Sequence, residues 1–179
     1  IVKNVQEGYA TELKGPLPSL AIGYDATIPN YEFNPTKAKE LLAQAGLSNS
    51  VSLDLYLSPT TYTKAKDVGE VIVPMLKNVG ITCNLKTPEA ATFSNDFNAG
   101  KYGFYLTGRG NTEDPSAYLN QYFRGGASKR VGYDNPKVNE LIDKQQGTVN
   151  EAERVKQLAD AQRIIMEDAP SVFLYTYKD

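Results

Sequence analysis

The feature that most constrains this chain is an alternation of two hydrophobic periods between residues 51 and 106. Residues 51–57 (VSLDLYL) repeat every second position, with Val51, Leu53, Leu55 and Leu57 on one side and Ser52, Asp54 and Tyr56 on the other. A helical stripe follows, made of Val68, Ile72, Met75, Leu76 and Val79, and it stops at Gly80. Residues 81–86 return to a strand pattern. Residues 88–99 read as a helix anchored by Phe93 and Phe97 and closed by Gly100, and residues 102–106 form a third apolar strand. Strands alternating with helices in short crossovers predict parallel pairing with right-handed connections, a βαβαβ core. Pro74 falls inside the first of these helices, where it kinks the helix or removes one backbone hydrogen bond.

Helices flank this core. Asn34-Pro35 supplies a capping amide and a proline at the first helical position, followed by Ala38, Leu41, Leu42 and Ala45 on one face and Gly46 as the stop. Asp114-Pro115 starts a helix over residues 116–123, with Asp114 as its cap. Asn135-Pro136 opens another, with Val138, Leu141 and Ile142 inward. Asn150 and Glu153 form a capping box for the longest helix, whose stripe is Val155, Leu158, Ala159, Ile165 and Met166. Asp168-Ala169-Pro170 ends it, and residues 171–177 make a last strand. Residues 1–33 show no sustained periodicity. The fold class is α/β, with a mixed sheet around the βαβαβ core and flanking helices.

Composition narrows the chemistry. With 179 residues and a net charge of −2 there is no basic footprint for nucleic acid. No histidine is present, which removes the commonest general base, the commonest metal ligand and every histidine-based triad. Metal ligation would fall to oxygens alone, and no loop has calcium-type spacing. Gly108-Arg109-Gly110 lacks the third glycine of a dinucleotide fingerprint, no phosphate loop occurs, and no serine sits in a nucleophile elbow. No cofactor is expected. Cys83 alternates with polar neighbours and reads as a buried strand thiol. No stretch has the length of a membrane span.

The stretch over residues 101–123 is the candidate ligand-binding element. Its strand gives way to Gly108-Arg109-Gly110-Asn111-Thr112-Glu113 before the helix begins. Gly108 and Gly110 let the backbone approach a docked molecule, while Arg109, Asn111 and Thr112 supply directional polar groups. The loop after the first core strand, residues 58–62, adds Thr61 and Tyr62. This set suggests binding rather than catalysis. The alternative is a small α/β hydrolase-like enzyme using Glu113 and Asp114 as an acid–base pair.

Several motifs resemble one family in order along the chain. They are Asn34-Pro35-x-Lys37-Ala38-Lys39-x-Leu41-Leu42-x-x-Ala45-Gly46-Leu47, Leu76-x-x-Val79-Gly80-Ile81, Gly100-Lys101-Tyr102 and Asp114-Pro115-Ser116. Tyr133-Asp134-Asn135-Pro136-x-Val138-x-x-Leu141-Ile142 follows, and then Arg154-x-x-x-Leu158-x-x-Ala161-Gln162-x-Ile164-Ile165-x-Glu167-Asp168-Ala169-Pro170. From about Asn30 onward the chain looks like an extracytoplasmic solute-binding protein of an ABC importer, in the dipeptide- and oligopeptide-binding class known as family 5.

The resemblance implies a non-enzymatic receptor of two lobes enclosing a solute, with this chain similar to the second lobe alone. Residues 1–33 would then be an extended segment near the interlobe crossing, and residues 34–179 an α/β ligand-binding lobe of the periplasmic-binding-protein type. Its implied partners are a peptide or other small polar solute, the first lobe of the same protein, and the importer's membrane permease. The implied location is the periplasm, or a membrane anchor outside the cell. Peptide binders of this class commonly place an acid in the loop after the third strand, whereas this loop carries Arg109 and no acid before Glu113. They often place a tryptophan at the start of the preceding helix, and here Glu89 is followed by Ala90 and Ala91. A cation in this loop repels a peptide amine, so the expected solute is anionic, or neutral and rich in acceptor oxygens.

Overall fold

The computed structural model describes every residue except Asn49, Asn111, Thr112, Ser128 and Asp179. In chain order its elements are β1 (Ala10–Glu12), α1 (Pro35–Gln44), β2 (Val51–Tyr56), α2 (Ala65–Asn78), β3 (Ile81–Lys86) and α3 (Ala90–Asn98). They continue with α4 (Ser116–Phe123), α5 (Pro136–Gly147), α6 (Glu151–Asp168) and β4 (Tyr175–Tyr177). The described chain divides into two compact units. One comprises Ile1, Lys3–Gln6 and Glu32–Gly108; the other comprises Val2, Glu7–Tyr31 and Arg109–Asp179. Parallel and antiparallel pairing both occur, in two separate sheets.

In the first unit β2 and β3 pair in parallel, from Val51 opposite Ile81 to Tyr56 opposite Lys86. Leu55 and Leu57 are buried, as the alternation predicts. α2 lies so close to this face that a Cβ on Gly69 would stand 2.6 Å from Leu57 Cδ2 and 2.8 Å from Leu85 Cδ1. Only a residue without a side chain allows that approach. Pro74 is inside α2, as expected. Aromatic rings build the other part of the core: Tyr102 stacks on Tyr56 at 4.1 Å, and Phe93 and Phe97 of α3 pack on Tyr102 and Tyr105. Cys83 is a buried thiol, and burial pushes it up from its ordinary value, so it stays protonated.

The third core strand is shorter than its pattern. Residues 102–106 contribute one parallel bridge, Tyr56 to Tyr105, closed by Tyr56 N–H donating to Phe104 O and Leu106 N–H donating to Tyr56 O. Gly103 breaks the strand from within, since it has no side chain to pack and loses most entropy on ordering. α1 is a second departure. Asn34 caps it by accepting from Lys37 N–H, but none of its residues is buried, and Leu41 is 53% exposed. Periodicity tells which side of a helix is apolar; it does not tell whether anything covers that side.

The second unit is built around Leu17, Ala21, Leu119, Phe123, Val138, Ile142, Leu158 and Ile165. Residues 1–33, which show no periodicity, contain a strand all the same. β1 pairs antiparallel with β4, Ala10 opposite Tyr177 and Glu12 opposite Tyr175. Three residues are too few to show a period. The last strand is likewise confined to Tyr175–Tyr177 rather than residues 171–177. In α5 the expected Val138 and Ile142 are buried. In α6 the inward side is Leu158, Ala161, Gln162, Ile165 and Met166, so Val155 and Ala159 do not belong to the core stripe. Gln162 takes a core position because its amide donates to Gly23 O and Leu158 O, which satisfies it in the interior.

Candidate functional site

Two loops of the first unit meet beyond the carboxyl ends of the parallel strands, the edge where open α/β sheets present ligand sites. After β2 the chain buries Leu57 and Ser58, and Thr61 Oγ1 donates to Ser58 Oγ at 2.6 Å. Tyr62 then reaches across to the next loop. Its hydroxyl donates to Gly108 O at 2.8 Å and lies 3.3 Å from Thr107 Oγ1. The ring passes close over Gly108, where a Cβ would stand 3.1 Å from Tyr62 Cε1. Gly108 thus serves the close approach of Tyr62, and the Tyr62 hydroxyl is engaged by protein acceptors. Thr61 is exposed at the tip of the first loop.

Arg109 belongs to the second unit, and Arg109 and Gly110 are both exposed. Arg109 Nη1 donates to Gln121 Oε1 of α4 at 2.8 Å. That partner is a neutral amide, so the contact orients the guanidinium without cancelling its charge. Asn111 and Thr112, the remaining expected binding residues, lie outside the described residues. Glu113 is exposed, and its carbonyl accepts from Ile22 N–H at 2.9 Å.

Asp114 is held firmly, although the residue preceding α4 is Pro115 rather than Asp114 itself. Its Oδ1 accepts from Ser116 N–H at 3.0 Å. Arg154 Nη2 donates to Oδ1 at 2.8 Å and to Oδ2 at 2.9 Å. The backbone N–H of Ser116, and after it the Ser116 hydroxyl and the Arg154 guanidinium, hold this carboxyl below its ordinary value against a smaller opposing effect of burial. A carboxylate stabilised in its charged form is a poor proton donor near neutral pH, so Asp114 does not suit the acid role of a Glu113–Asp114 pair. Among the described residues no group of three or more His, Cys, Asp and Glu side chains could hold a metal ion.

Sequence reasoning missed the partners: Arg154, Gln145 and Gln121. For Arg154 a signal was present. It lies one helical turn before Leu158 on the inward side of α6, and a cation in that stripe calls for an acid on the facing segment. Gln121 carried no signal, because a polar residue on a short helix is ordinarily solvated.

Comparison with known proteins completes the picture. The profile described as "Bacterial extracellular solute-binding proteins, family 5 Middle" matches residues 1–130. Heme-binding protein A of Haemophilus influenzae is 29% identical over 95% of this chain, which covers 32% of that protein. Among solved structures, the ABC transporter-associated periplasmic binding protein DppA from Helicobacter pylori in complex with the peptide STSA superposes with a TM-score of 0.86. It is 26% identical and is matched by 97% of this chain and 35% of its own. The binding protein AgaA of A. tumefaciens R10 in complex with agropinic acid also gives 0.86 at 26% identity, with 98% of this chain and 37% of its own covered. The chain spans about a third of the length of the curated relatives it matches. With a family profile over residues 1–130 and an α/β architecture shared with these structures, the chain belongs to the bacterial extracellular solute-binding proteins of family 5.

Proposed function

We propose that this chain is the solute-binding lobe of an ABC importer's receptor, working outside the cytoplasmic membrane, with its solute held against the loops at residues 58–62 and 108–114. Residues 1–33 serve as the extended segment near the interlobe crossing and residues 34–179 as the lobe proper. The observation that carries this reading is the Tyr62–Gly108 contact, which within the first unit ties the first loop to Gly108 at the carboxyl edge of parallel strands in a chain of this family. The H. pylori relative, described as ABC transporter-associated and periplasmic, supports the transport role.

In this reading Arg109 is the anchor of the site, and Gly108, Gly110, Asn111, Thr112, Thr61 and Tyr62 are its further binding residues. A guanidinium is charged at every physiological pH and presents five donors in a fixed fork. Its contact with Gln121 uses one of its nitrogens, Nη1. The solute is therefore anionic, or neutral with many acceptor oxygens; the agropinic acid complex of AgaA is a relative with an acid as ligand. The test begins with the full-length protein, from which the co-purifying solute is identified by mass spectrometry. Arg109→Ala is then expected to weaken binding of that solute by about 1.5–3 kcal/mol, the range for a charge-assisted hydrogen bond. Thermal stability of the unliganded protein should barely move. Unchanged affinity with lowered stability would assign Arg109 to the structure of the loop.

A further inference from the structure

Arg154 is a cation on the inward side of α6, one turn before the fully buried Leu158, and its side chain is only 21% exposed. Withdrawing a guanidinium from water is costly unless its donors are matched. Here the donors on Nη2 and Nε are matched by three residues. Nη2 donates to both oxygens of Asp114 and to Ser116 Oγ at 2.9 Å, and Nε donates to Gln145 Oε1 at 3.1 Å. Ser116 Oγ in turn donates to the same Gln145 oxygen at 3.1 Å. Gln145 is buried on α5, with its amide nitrogen donating to Ile142 O. One guanidinium thus joins α6, α5, the start of α4 and the residue that closes the candidate binding loop.

The loop is held at both ends inside the second unit. On the carboxyl side Asp114 is fixed by Arg154, and Glu113 O is fixed by Ile22 N–H. On the amino side Arg109 is fixed by Gln121, and Gln121 lies on the α4 helix whose first residue, Ser116, Arg154 also contacts. Both anchors of the loop are therefore referred to the same short helix.

We propose that Arg154 is a positioning residue for solute binding. By holding Asp114 and Ser116 it sets the loop in which Arg109 meets the solute, without touching the solute itself. This rests on the reading of residues 108–114 as a binding element. The experiment uses the full-length protein and, as probe, the small molecule that co-purifies with it. Asp114→Asn, Arg154→Gln, Arg109→Ala and the double variant Arg109→Ala/Asp114→Asn are compared by solute affinity and by amide hydrogen exchange of residues 109, 110, 114 and 116. Should Arg154→Gln fail to fold, Asp114→Asn at the exposed end of the pair carries the test.

The expected result is a loss of affinity of about tenfold in Asp114→Asn and Arg154→Gln, the scale on which outer-shell partners tune a site. Faster exchange at residues 109 and 110 should accompany it. Arg109→Ala should lose affinity without faster exchange at residues 114 and 116, and the double variant should lose no more than Arg109→Ala alone. Faster exchange with affinity retained, while Arg109→Ala loses the solute, would overturn the positioning role and leave the binding reading intact. Additive losses in the double variant would make the Asp114–Arg154 pair an independent contact and also overturn it. If Arg109→Ala too retains full affinity, it is the reading of the loop that fails.

Discussion

Asp114 and Arg109 flank one loop and use their charge in opposite ways. Asp114 gives its charge to the protein, to Ser116 N–H and Arg154, whereas the described partner of Arg109 is the neutral amide of Gln121. That difference has a pH signature. The Asp114 carboxyl is depressed from its ordinary value of 3.8, first by the Ser116 backbone hydrogen bond and then by the Ser116 side chain and Arg154. A depressed carboxyl binds fewer protons folded than unfolded, so its stabilisation is present in full above the unfolded value. It is lost as pH falls through the lower folded value. The stability difference between wild type and Asp114→Asn should therefore be widest near neutral pH and shrink as pH drops below about 4. Urea unfolding at a series of pH values measures it. A difference constant across that range would mean that the carboxylate charge contributes nothing to the fold. The magnitude will be modest, because Asp114 is more than half exposed and solvent screens the pair.

At the scale of elements, the region without periodicity places Leu17 and Ala21 in the core of the second unit. Residues 17–24 lie against α6, where Gly23 adopts φ +80° and a Cβ added there would stand 2.5 Å from Leu158 Cβ. The Gly23 carbonyl also accepts from Gln162 Nε2. Gly23→Ala would meet both a left-handed backbone and a backbone-proximal atom that cannot swing aside. We expect it to destabilise the fold by about 2–3 kcal/mol in chemical denaturation. A loss under about 0.5 kcal/mol, typical of a surface site, would show that the segment lifts freely from α6. The same elements explain what the sequence could carry. Helices with side-chain caps, such as those opened by Asn34, Asn135 and Asn150, were legible, because the cap and the stripe are written in adjacent residues. β2 and β3 were legible by length and alternation. β1 was not, because its three residues owe their conformation to pairing with β4 far along the chain. The third core strand was overread because its aromatics serve ring stacking around Tyr56 rather than a ladder. Of the candidate site, the loops and Tyr62 were visible as polar interruptions between strand and helix. The Arg154–Asp114 pair was invisible in pairing, since forty residues separate its ends.

At the scale of the whole molecule, the chain covers only about a third of its curated relatives, and the proposed receptor encloses its solute with more than this chain provides. Ligand sites that bind small molecules well bury most of the ligand's surface. Thr61, Arg109 and Gly110 of the proposed site are exposed, and in this reading the chain supplies one wall of it. A solute resting on one wall keeps its other side in water and forgoes the contacts of the missing wall. Each 1.4 kcal/mol of such contacts is worth tenfold in affinity. The isolated chain is therefore expected to bind the solute of the full-length protein at least about tenfold more weakly. Calorimetric titration of both proteins with that solute measures the ratio, with circular dichroism confirming that the isolated chain is folded. Equal affinities would mean that this lobe is sufficient by itself, and the loops at the strand ends would then have to form a complete site rather than half of one.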